Sequence, residues 1–385
     1  MAVPKIWTRD FILSFFAQVA FSSVFFTLIP TLPIYLSRLE MTEAGIGVLI
    51  GALSVSSLVL RPFVGRALLR IQERNFMIAG ALLFSLSSAA YLIAKPFWPF
   101  LIVRILQGIG LALFATASFT LVARISPSAH RGQSLSFFYL AINIAFALAP
   151  SLGMAVINHF DFPILFLVCA GLSLAALFIS LQLKGLDMDP VEKPLSKQPL
   201  LSRGALPAGI MAFLGSFVWG AVMAFFSLYA LHHGVANSGL FFAAVAITLI
   251  LGRGLGGKIL DLYAREKVLL PCMVAQTIAM AILAFSSSLP LFILVAVIWG
   301  MGNAFYYPTL VAYSIDLAGS TRGPAIGTYM ALSDFGIGIG SVVMGIVLHL
   351  TNYTVMFLCL SLMGVINLLY FYYFVIKGSK RYAHL

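Results

Sequence analysis

The chain has 385 residues, of which 61% are hydrophobic and only 9% are charged, and its mean hydropathy is +1.04. A soluble domain is about 25% charged, so this composition excludes an ordinary soluble protein. The formal net charge is +11, but no basic run is interleaved with aromatic residues in a soluble segment, which argues against a nucleic-acid-binding protein. The three cysteines all lie in apolar segments, so neither a disulfide framework nor a metal site is predicted, and no cofactor is expected.

Long apolar runs recur along the whole chain, and each can cross a hydrocarbon layer of about 30 Å as a helix. Dividing them at charges and at Gly, Pro and Asn clusters predicts twelve transmembrane helices and an all-α membrane protein. The predicted helices lie near Phe11–Leu36, Gly45–Leu69, Phe76–Ala94, Trp98–Ile125, Gly132–Ile157, Pro163–Leu183, Ala205–Leu231, Ser238–Leu260, Val268–Ser288, Leu291–Leu317, Pro324–Leu350 and Thr354–Ile376.

The segment Lys184–Arg203 separates the sixth predicted helix from the seventh and mixes charge with proline. It has no apolar period, which is typical of a linker. We therefore predict a six-helix bundle over 1–183, a linker over 184–204 and a second six-helix bundle over 205–385. In this segmentation Arg38 and Lys95 are the only Lys or Arg residues in the loops of one side, and most of the others lie in the loops of the opposite side. The positive-inside rule then predicts that both termini and the linker face the cytoplasm, in the cytoplasmic (inner) membrane.

An internal repeat relates the two predicted bundles at an offset of 192 residues, which is the separation of Gly108 and Gly300. The other matches are Gly47 with Gly239, Gly110 with Gly302, Arg61-Pro-Phe-Val-Gly65-Arg66 with Arg253-Gly-Leu-Gly-Gly257-Lys258 and, after a one-residue slip, Arg131-Gly132 with Arg322-Gly323. Matches at a nearly constant spacing indicate two pseudo-symmetric bundles. Parallel repeats of this kind predict a solute cavity at their interface, near the bilayer midplane.

This organisation and a basic glycine motif after helix 2 resemble the major facilitator superfamily across essentially the full chain. The family's loop looks like G-x-L-a-D-r-x-G-r-r, and here it is Gly65-Arg66-Ala-Leu-Leu69-Arg70-Ile-Gln72-Glu73-Arg74. Its acid is missing at Leu69, whereas the second copy has it in Gly257-Lys-Ile-Leu-Asp261. The resemblance implies that this motif acts in gating, through Gly65, Arg66, Arg70, Gly257 and Asp261.

A second departure from the family follows helix 4, where members often carry Asp and this chain has Arg124. The counterpart in the second half is Asp316. Glu73 is interpreted either as a substitute for the acid missing at Leu69 or, more plainly, as a solvated loop acid.

Helix 4 also matches the family's R-x-x-Q-G pattern, as Arg104-Ile-Leu-Gln107-Gly108. Helix 5 carries Ala145-Phe-Ala-Leu-Ala149-Pro150-Ser-Leu-Gly153, a degraded form of the exporter motif G-x-x-x-G-P-x-x-G. The chain is thus similar to the drug:proton antiporter branch. That resemblance implies a role for Arg104 in proton coupling, and the alternative is a structural clasp.

Asp334 is the one acid predicted near the centre of a helix, where an uncompensated charge costs about 3 kcal/mol. We interpret it as a coupling carboxylate, with a protonated Asp bonded to a neighbouring helix as the alternative. Other polar or aromatic residues within the predicted spans are candidates for solute binding, although each is individually more typical of helix packing. These candidates are Gln18, Gln107, Asn143, Asn303, Tyr139, Tyr306, Tyr307 and Tyr329.

The predicted function is secondary active transport of a small organic or amphiphilic solute by alternating access, as proton-coupled efflux. The alternative is an uptake facilitator or symporter for a small polar solute on the same fold. An intramembrane enzyme is not predicted, because no convergent catalytic set lies inside the spans. The expected partners are the solute, protons and the lipid bilayer, and the expected state is a monomer.

Overall fold

The computed structural model describes residues 7–68, 70–94, 97–127, 131–184, 202–256, 263–318 and 322–376. Within these ranges the fold is all-helical, with twelve α-helices in chain order, the last of which continues as a π-helix over Phe371–Ile376. The helices are α1 (Arg9–Arg38), α2 (Glu43–Ala67), α3 (Glu73–Ala90), α4 (Trp98–Ile125), α5 (Arg131–His159), α6 (Phe162–Leu181), α7 (Leu206–His232), α8 (Gly239–Gly256), α9 (Arg265–Leu283), α10 (Leu289–Ala318), α11 (Arg322–Leu350) and α12 (Tyr353–Tyr370).

Side chains and turns at the helix ends explain several of these boundaries. The Thr8 hydroxyl accepts a hydrogen bond from the Phe11 backbone N–H at 3.2 Å and begins α1, and Asn352 begins α12 in the same way. Helix α7 ends at His232, and Gly234, two residues beyond, has a φ of 76° in the left-handed region. The Gly234 and Val235 N–H groups then donate back to carbonyls of the last turn, at 2.9 Å each.

Ten of the twelve described helices are long and apolar enough to span a bilayer. The other two are α3, whose first turn is charged, and α8, which has a shorter apolar stretch over Gly239–Arg253. Large apolar side chains are exposed on the helices, as a lipid-facing surface requires; among them are Phe63, Leu86, Leu148, Leu152, Phe178 and Leu350. The predicted all-α membrane fold is confirmed, and the chain is an integral membrane protein.

The chain forms two compact units, Met1–Glu40 with Ala52–Pro194, and Met41–Gly51 with Leu195–Leu385. Equivalent helices pack together within each of them. The matching pairs are α1 on α5 and α7 on α11, α3 on α4 and α9 on α10, and α3 on α6 and α9 on α12. The predicted bundle boundaries at 183 and 205 stay a prediction, because most of the predicted linker lies outside the described residues.

The offset of 192 residues seen in the sequence also relates the close helix contacts of the two units, for example at Gly108 and Gly300. A Cβ placed on any of four glycines would meet a backbone carbonyl of the adjacent helix. The four contacts are Gly108 with Leu53, Gly300 with Val245, Gly110 with Gly80 and Gly302 with Cys272. Glycine therefore permits the same close approach of helix backbones twice, which is what a duplicated bundle predicts.

Replacing Gly108 tests this packing. Gly108→Ala is expected to lower the free energy of unfolding by about 1–3 kcal/mol, because the new methyl group would overlap the Leu53 carbonyl oxygen. Gly171 on α6 has no atom within 4 Å of an added Cβ, so Gly171→Ala is the matched control. The control is expected to be neutral or stabilising by up to about 1 kcal/mol. Thermal unfolding in detergent measures both, and equal midpoints would contradict the packing argument.

Candidate functional site

Arg104 lies on α4 in a polar cluster within the first unit. Its side chain is 5% exposed, and its Nη1 donates a hydrogen bond to the Gln107 Oε1 at 2.8 Å. The Tyr91 hydroxyl donates to the same oxygen at 2.6 Å, and the Tyr91 ring stacks on Phe100. Tyr91 stands at the end of α3, so the cluster ties α3 to α4 around a buried charge. Sequence reasoning missed Tyr91, because this residue belongs to no motif.

Gln18 on α1 is also enclosed within the first unit. Its Oε1 accepts a hydrogen bond from Ser118 of α4 at 2.8 Å, and its Nε2 donates to Ser22 at 2.8 Å. Both oxygen and nitrogen are therefore bonded inside the protein. This arrangement matches the interhelical packing role that such amides usually have in membranes.

Tyr139 and Asn143 lie four residues apart on α5, and thus on one face of that helix. Tyr139 is 44% exposed, and its ring contacts Phe119 at a centroid distance of 4.8 Å. Asn143 is half-buried. This face of α5 is the most open part of the predicted solute-binding set in the first unit.

Asp334 lies near the middle of α11 in the second unit, about 18 Å from the helix start at 1.5 Å per residue. The side chain is half-buried, and its Oδ2 atom is enclosed by protein. Asp334 shares its helix face with Gly338, Ser341 and Gly345. Those three residues pack closely on the first turns of α2, where a Cβ added at Gly51 would lie 2.7 Å from the Gly338 carbonyl oxygen. The carboxylate thus continues a tightly packed stripe of small residues.

Tyr306 and Asn303 of α10 are buried and bonded within the second unit. The Tyr306 hydroxyl donates to the Met211 carbonyl at 2.7 Å and accepts from Asn367 Nδ2 at 2.8 Å. Asn303 accepts from Gln276 and donates to the backbone of its own helix. Tyr329 is likewise only 5% exposed. Hydrogen bonds thus make Tyr306 and Asn303 part of the scaffold, and Tyr329 is buried; a part of the three side chains in solute binding stays a prediction.

Tyr307 has a more open environment than its neighbour Tyr306. Its hydroxyl accepts a hydrogen bond from Ser216 of α7 at 3.4 Å, and Ser216 is 2.7 Å from the Ser333 hydroxyl of α11. The half-buried Trp219 stands edge-on to the Tyr307 ring. Ser333 directly precedes Asp334, so hydroxyls, aromatic rings and a carboxylate are close in the second unit. The two serines were missed, because a single serine in an apolar helix carries no distinguishing signal.

Substitution of the two tyrosines separates scaffold from solute surface. Tyr306→Phe is expected to lower the free energy of unfolding by about 1–3 kcal/mol, because it removes the buried hydroxyl that bonds both the Met211 carbonyl and the Asn367 amide, which then keep only their mutual contact at 3.4 Å. Tyr307→Phe is expected to change it by less than about 0.5 kcal/mol and to weaken solute affinity instead. Thermal unfolding and solute binding are measured on both variants. The reverse pattern would assign Tyr306 to the solute surface.

The predicted gating residues are only partly visible. Arg66 and Arg70 are exposed, and an added Cβ at Gly65 would meet no atom within 4 Å. Gly257 and Asp261 lie outside the described residues, as does Leu69.

Glu73 corrects the interpretation of this loop. The interpretation of Glu73 as a solvated loop acid is wrong, because Glu73 is 2% exposed and its carboxylate lies 3.2 Å from the Arg124 guanidinium. Burying an acid is tolerated here because a basic partner is bonded to it. The departure from the family at Arg124 is therefore the sequence signal that an acid lies nearby.

A groove of about 390 Å³ lies between α9 and α10 in the second unit. It is almost entirely apolar, is lined by residues such as Pro271, Met301 and Phe305, and contains none of the predicted site residues. In the described part of the chain, no three His, Cys, Asp or Glu side chains gather as a metal site would require.

The chain matches the family model described as "Major Facilitator Superfamily" over residues 14–236 and 208–383. It is 25% identical over 386 residues to the "Staphylopine export protein" of Staphylococcus aureus, covering 95% of this chain and 94% of that protein. It is 24% identical over 363 residues to the "Quinolone resistance protein NorA" of the same species, covering 89% and 91%.

Solved structures share the fold at low sequence identity. A mutant form of the nucleoside transporter NupG superposes with a TM-score of 0.81 at 14% identity, covering 95% of this chain and all of that one. A POT family transporter, solved with a thioalcohol-conjugated peptide, gives 0.79 at 13% identity and covers 96% of each chain. These relatives and fold neighbours are transporters and not enzymes. With twelve helices among the described residues and a family match along nearly its whole length, this chain belongs to the major facilitator superfamily and is a transporter.

Proposed function

We propose that the protein is a proton-coupled exporter of a small organic, amphiphilic solute. The observation that carries this proposal is the carboxylate of Asp334, which lies half-buried near the middle of a membrane-spanning helix. Burial penalises the charged form of a carboxylate, so proton occupancy and water access at this position are linked. A site that gains a proton when it is dry and releases it when it is wet has the property that coupling requires.

Two further observations support export. The relatives of Staphylococcus aureus with matching length are named for export and for drug resistance. Helix α5 carries the degraded exporter motif that ends at Pro150 and Gly153. Both residues lie inside a described membrane span, and Gly153 packs closely on Thr27 of α1.

Each unit has a group of partly exposed polar and aromatic residues that suits an amphiphilic solute. On α5 these residues are Tyr139 and Asn143, and in the second unit Tyr307 and Trp219 stand near the Ser216 hydroxyl. Aromatic faces bind apolar parts of a solute, while amides and hydroxyls orient its polar groups. We propose these residues as the solute-contacting set. We also propose that the protein lies in the cytoplasmic membrane, that both of its termini face the cytoplasm and that it is a monomer.

A solute screen followed by flux tests the proposal. Purified protein is heated with a broad library of small molecules, and solutes that raise its unfolding midpoint are binders. Each binder is then measured in proteoliposomes with and without an imposed pH gradient. Stabilisation by organic amphiphiles with pH-driven flux supports the proposal. Uptake of a small polar solute without proton dependence would instead identify a facilitator.

Orientation is tested separately by labelling. A single cysteine is introduced at Ser196 of the linker or at Phe160, after Cys169, Cys272 and Cys359 have been replaced. In intact cells an impermeant thiol reagent is expected to label Phe160→Cys and to spare Ser196→Cys. Rapid labelling in the linker with none at Phe160→Cys would reverse the proposed topology.

A further inference from the structure

Each unit carries an ion pair between two equivalent helix ends. In the first unit the Glu73 carboxylate, at the start of α3, lies 3.2 Å from Arg124 in the last turn of α4. In the second unit Arg265, at the start of α9, lies 3.3 Å from Asp316 in the last turn of α10. We name these pairs the first joint and the second joint.

The two joints occupy equivalent positions with opposite charges. Glu73 and Arg265 are related by the offset of 192 residues found along the chain, and so are Arg124 and Asp316. Each pair is also separated by the same 51 residues. The fold has therefore preserved the contact in both units while its polarity has been reversed.

Polarity matters because these charges stand at helix ends. A helix has a partial positive charge at its N-terminus and a partial negative charge at its C-terminus. In the first joint, Glu73 begins a helix and Arg124 ends one, so both charges are stabilised. In the second joint, Arg265 begins a helix and Asp316 stands in a last turn, so each charge meets a dipole end of its own sign.

The residues next to Glu73 and Arg265 also differ between the units. Arg74, next to Glu73, donates to the Leu181 carbonyl at the end of α6 at 2.6 Å. The equivalent residue in the second unit is Glu266, which restores an acid to the first turn of α9 but has no proton to donate to a carbonyl when ionised. The start of α3 is thus fastened to two helix ends, to α4 by Glu73 and to α6 by Arg74.

Solvent exposure separates the joints in the same direction. The Glu73 side chain is 3% exposed and Arg124 26%, whereas Arg265 is 32% exposed and Asp316 56%. Water and salt screen an exposed pair far more than a buried one. Dipoles and exposure both make the second joint the weaker of the two.

We propose that the first joint is a permanent clamp within its unit, whereas the second joint opens and re-forms in each transport cycle. The proposal rests on the proposed transport function for its flux test. The cycle then moves the start of α9 away from the end of α10, while α3 stays fixed on α4.

Hydrogen exchange tests the difference without any solute. In the purified protein, backbone amides at the start of α9 are expected to exchange at least about tenfold faster than those at the start of α3. The variant Arg265→Glu/Asp316→Arg places each charge at its favourable helix end, and it is expected to slow exchange at α9. Equal protection of the two helix starts, or no slowing in this variant, would overturn the proposal.

Reversible cross-linking tests the consequence for flux. Arg265→Cys/Asp316→Cys and, as the matched control, Glu73→Cys/Arg124→Cys are made in protein whose native cysteines are replaced, and are joined by a bifunctional methanethiosulfonate. Linking the second joint is expected to lower flux about tenfold or more and a reductant to restore it, while linking the first changes flux less than about twofold. Undiminished flux with the second joint linked would overturn the proposal. Loss of proton dependence in the unlinked proteins would contradict the proposed proton-coupled export alone. It would leave the proposal on the two joints intact, because the hydrogen-exchange result does not depend on proton coupling.

Discussion

Asp334→Asn is expected to abolish solute accumulation driven by a pH gradient while leaving solute exchange intact. The amide has nearly the shape of the protonated carboxyl group, so helix packing along the Gly338 and Ser341 stripe is preserved. It cannot release a proton, however, and a fixed protonation state cannot couple one gradient to another. We expect gradient-driven accumulation to fall by about tenfold or more, with exchange within about twofold of wild type.

Both activities are measured in the same proteoliposomes, so that protein amount and orientation cancel. Full gradient-driven transport in Asp334→Asn would make Asp334 structural. Loss of both activities in an intact protein would assign it to solute binding instead.

Arg104→Ala is expected to lower transport by at least about tenfold while the protein still folds and inserts. The guanidinium is held at Gln107, which also accepts a hydrogen bond from Tyr91, so the positive charge has a fixed position. Removing it empties a buried site but leaves the Tyr91 contact to Gln107. Arg104→Lys is expected to recover little, because an ammonium group cannot reproduce the planar fork of donors.

Tyr91→Phe is the matched control, because it removes one hydroxyl from the same cluster and leaves the charge. It is expected to cost about 1 kcal/mol of unfolding free energy and to leave most transport. Flux in proteoliposomes and thermal unfolding in detergent are measured for all three variants. Wild-type flux in Arg104→Ala would reduce Arg104 to a clasp between helices.

Hydropathy, charge and glycine spacing were enough to predict the fold. All twelve predicted helices exist, and α4 has the predicted bounds, because Trp98 and Ile125 border a long apolar run whose charged residues are only Arg104 and Arg124. If the π-helix that continues α12 to the predicted Ile376 is counted with α12, the largest shift at a described helix end is at α9, which ends at Leu283 whereas the prediction is Ser288. Apolar residues continue past that point, so hydropathy could not mark where the helix turns.

The candidate site was predictable only in kind. Composition pointed to Gln18 and Tyr306 as polar residues in spans, but it could not tell whether their hydrogen bonds are made inside the protein. Ser118 and Asn367 decide that question, and they come from distant parts of the chain. Sequence periodicity fixes which face of a helix a residue occupies, whereas the partner on another helix depends on tertiary packing.

The first and second joints show a different limit of sequence reasoning, which does not reveal which charged residues form pairs. The sequence identifies Arg124 and Asp316 as equivalent positions of opposite charge, and Glu73 belongs to the glycine motif after helix 2. Arg124 and Asp316 each have a residue of opposite charge 51 positions earlier in the chain. Only the structure shows that the two residues of each pair are in contact. Burial decided the interpretation, since an acid at 2% exposure must have a partner.

The most direct test of proton-coupled transport is an uphill flux experiment on the wild-type protein. A solute identified by its stabilising effect is placed at equal concentration inside and outside proteoliposomes, and a pH gradient is then imposed. We expect the solute to move against its own gradient, in the direction opposite to the proton flow, and to stop when an ionophore collapses the pH difference. Equilibration of the solute without any response to the imposed pH gradient would contradict proton coupling.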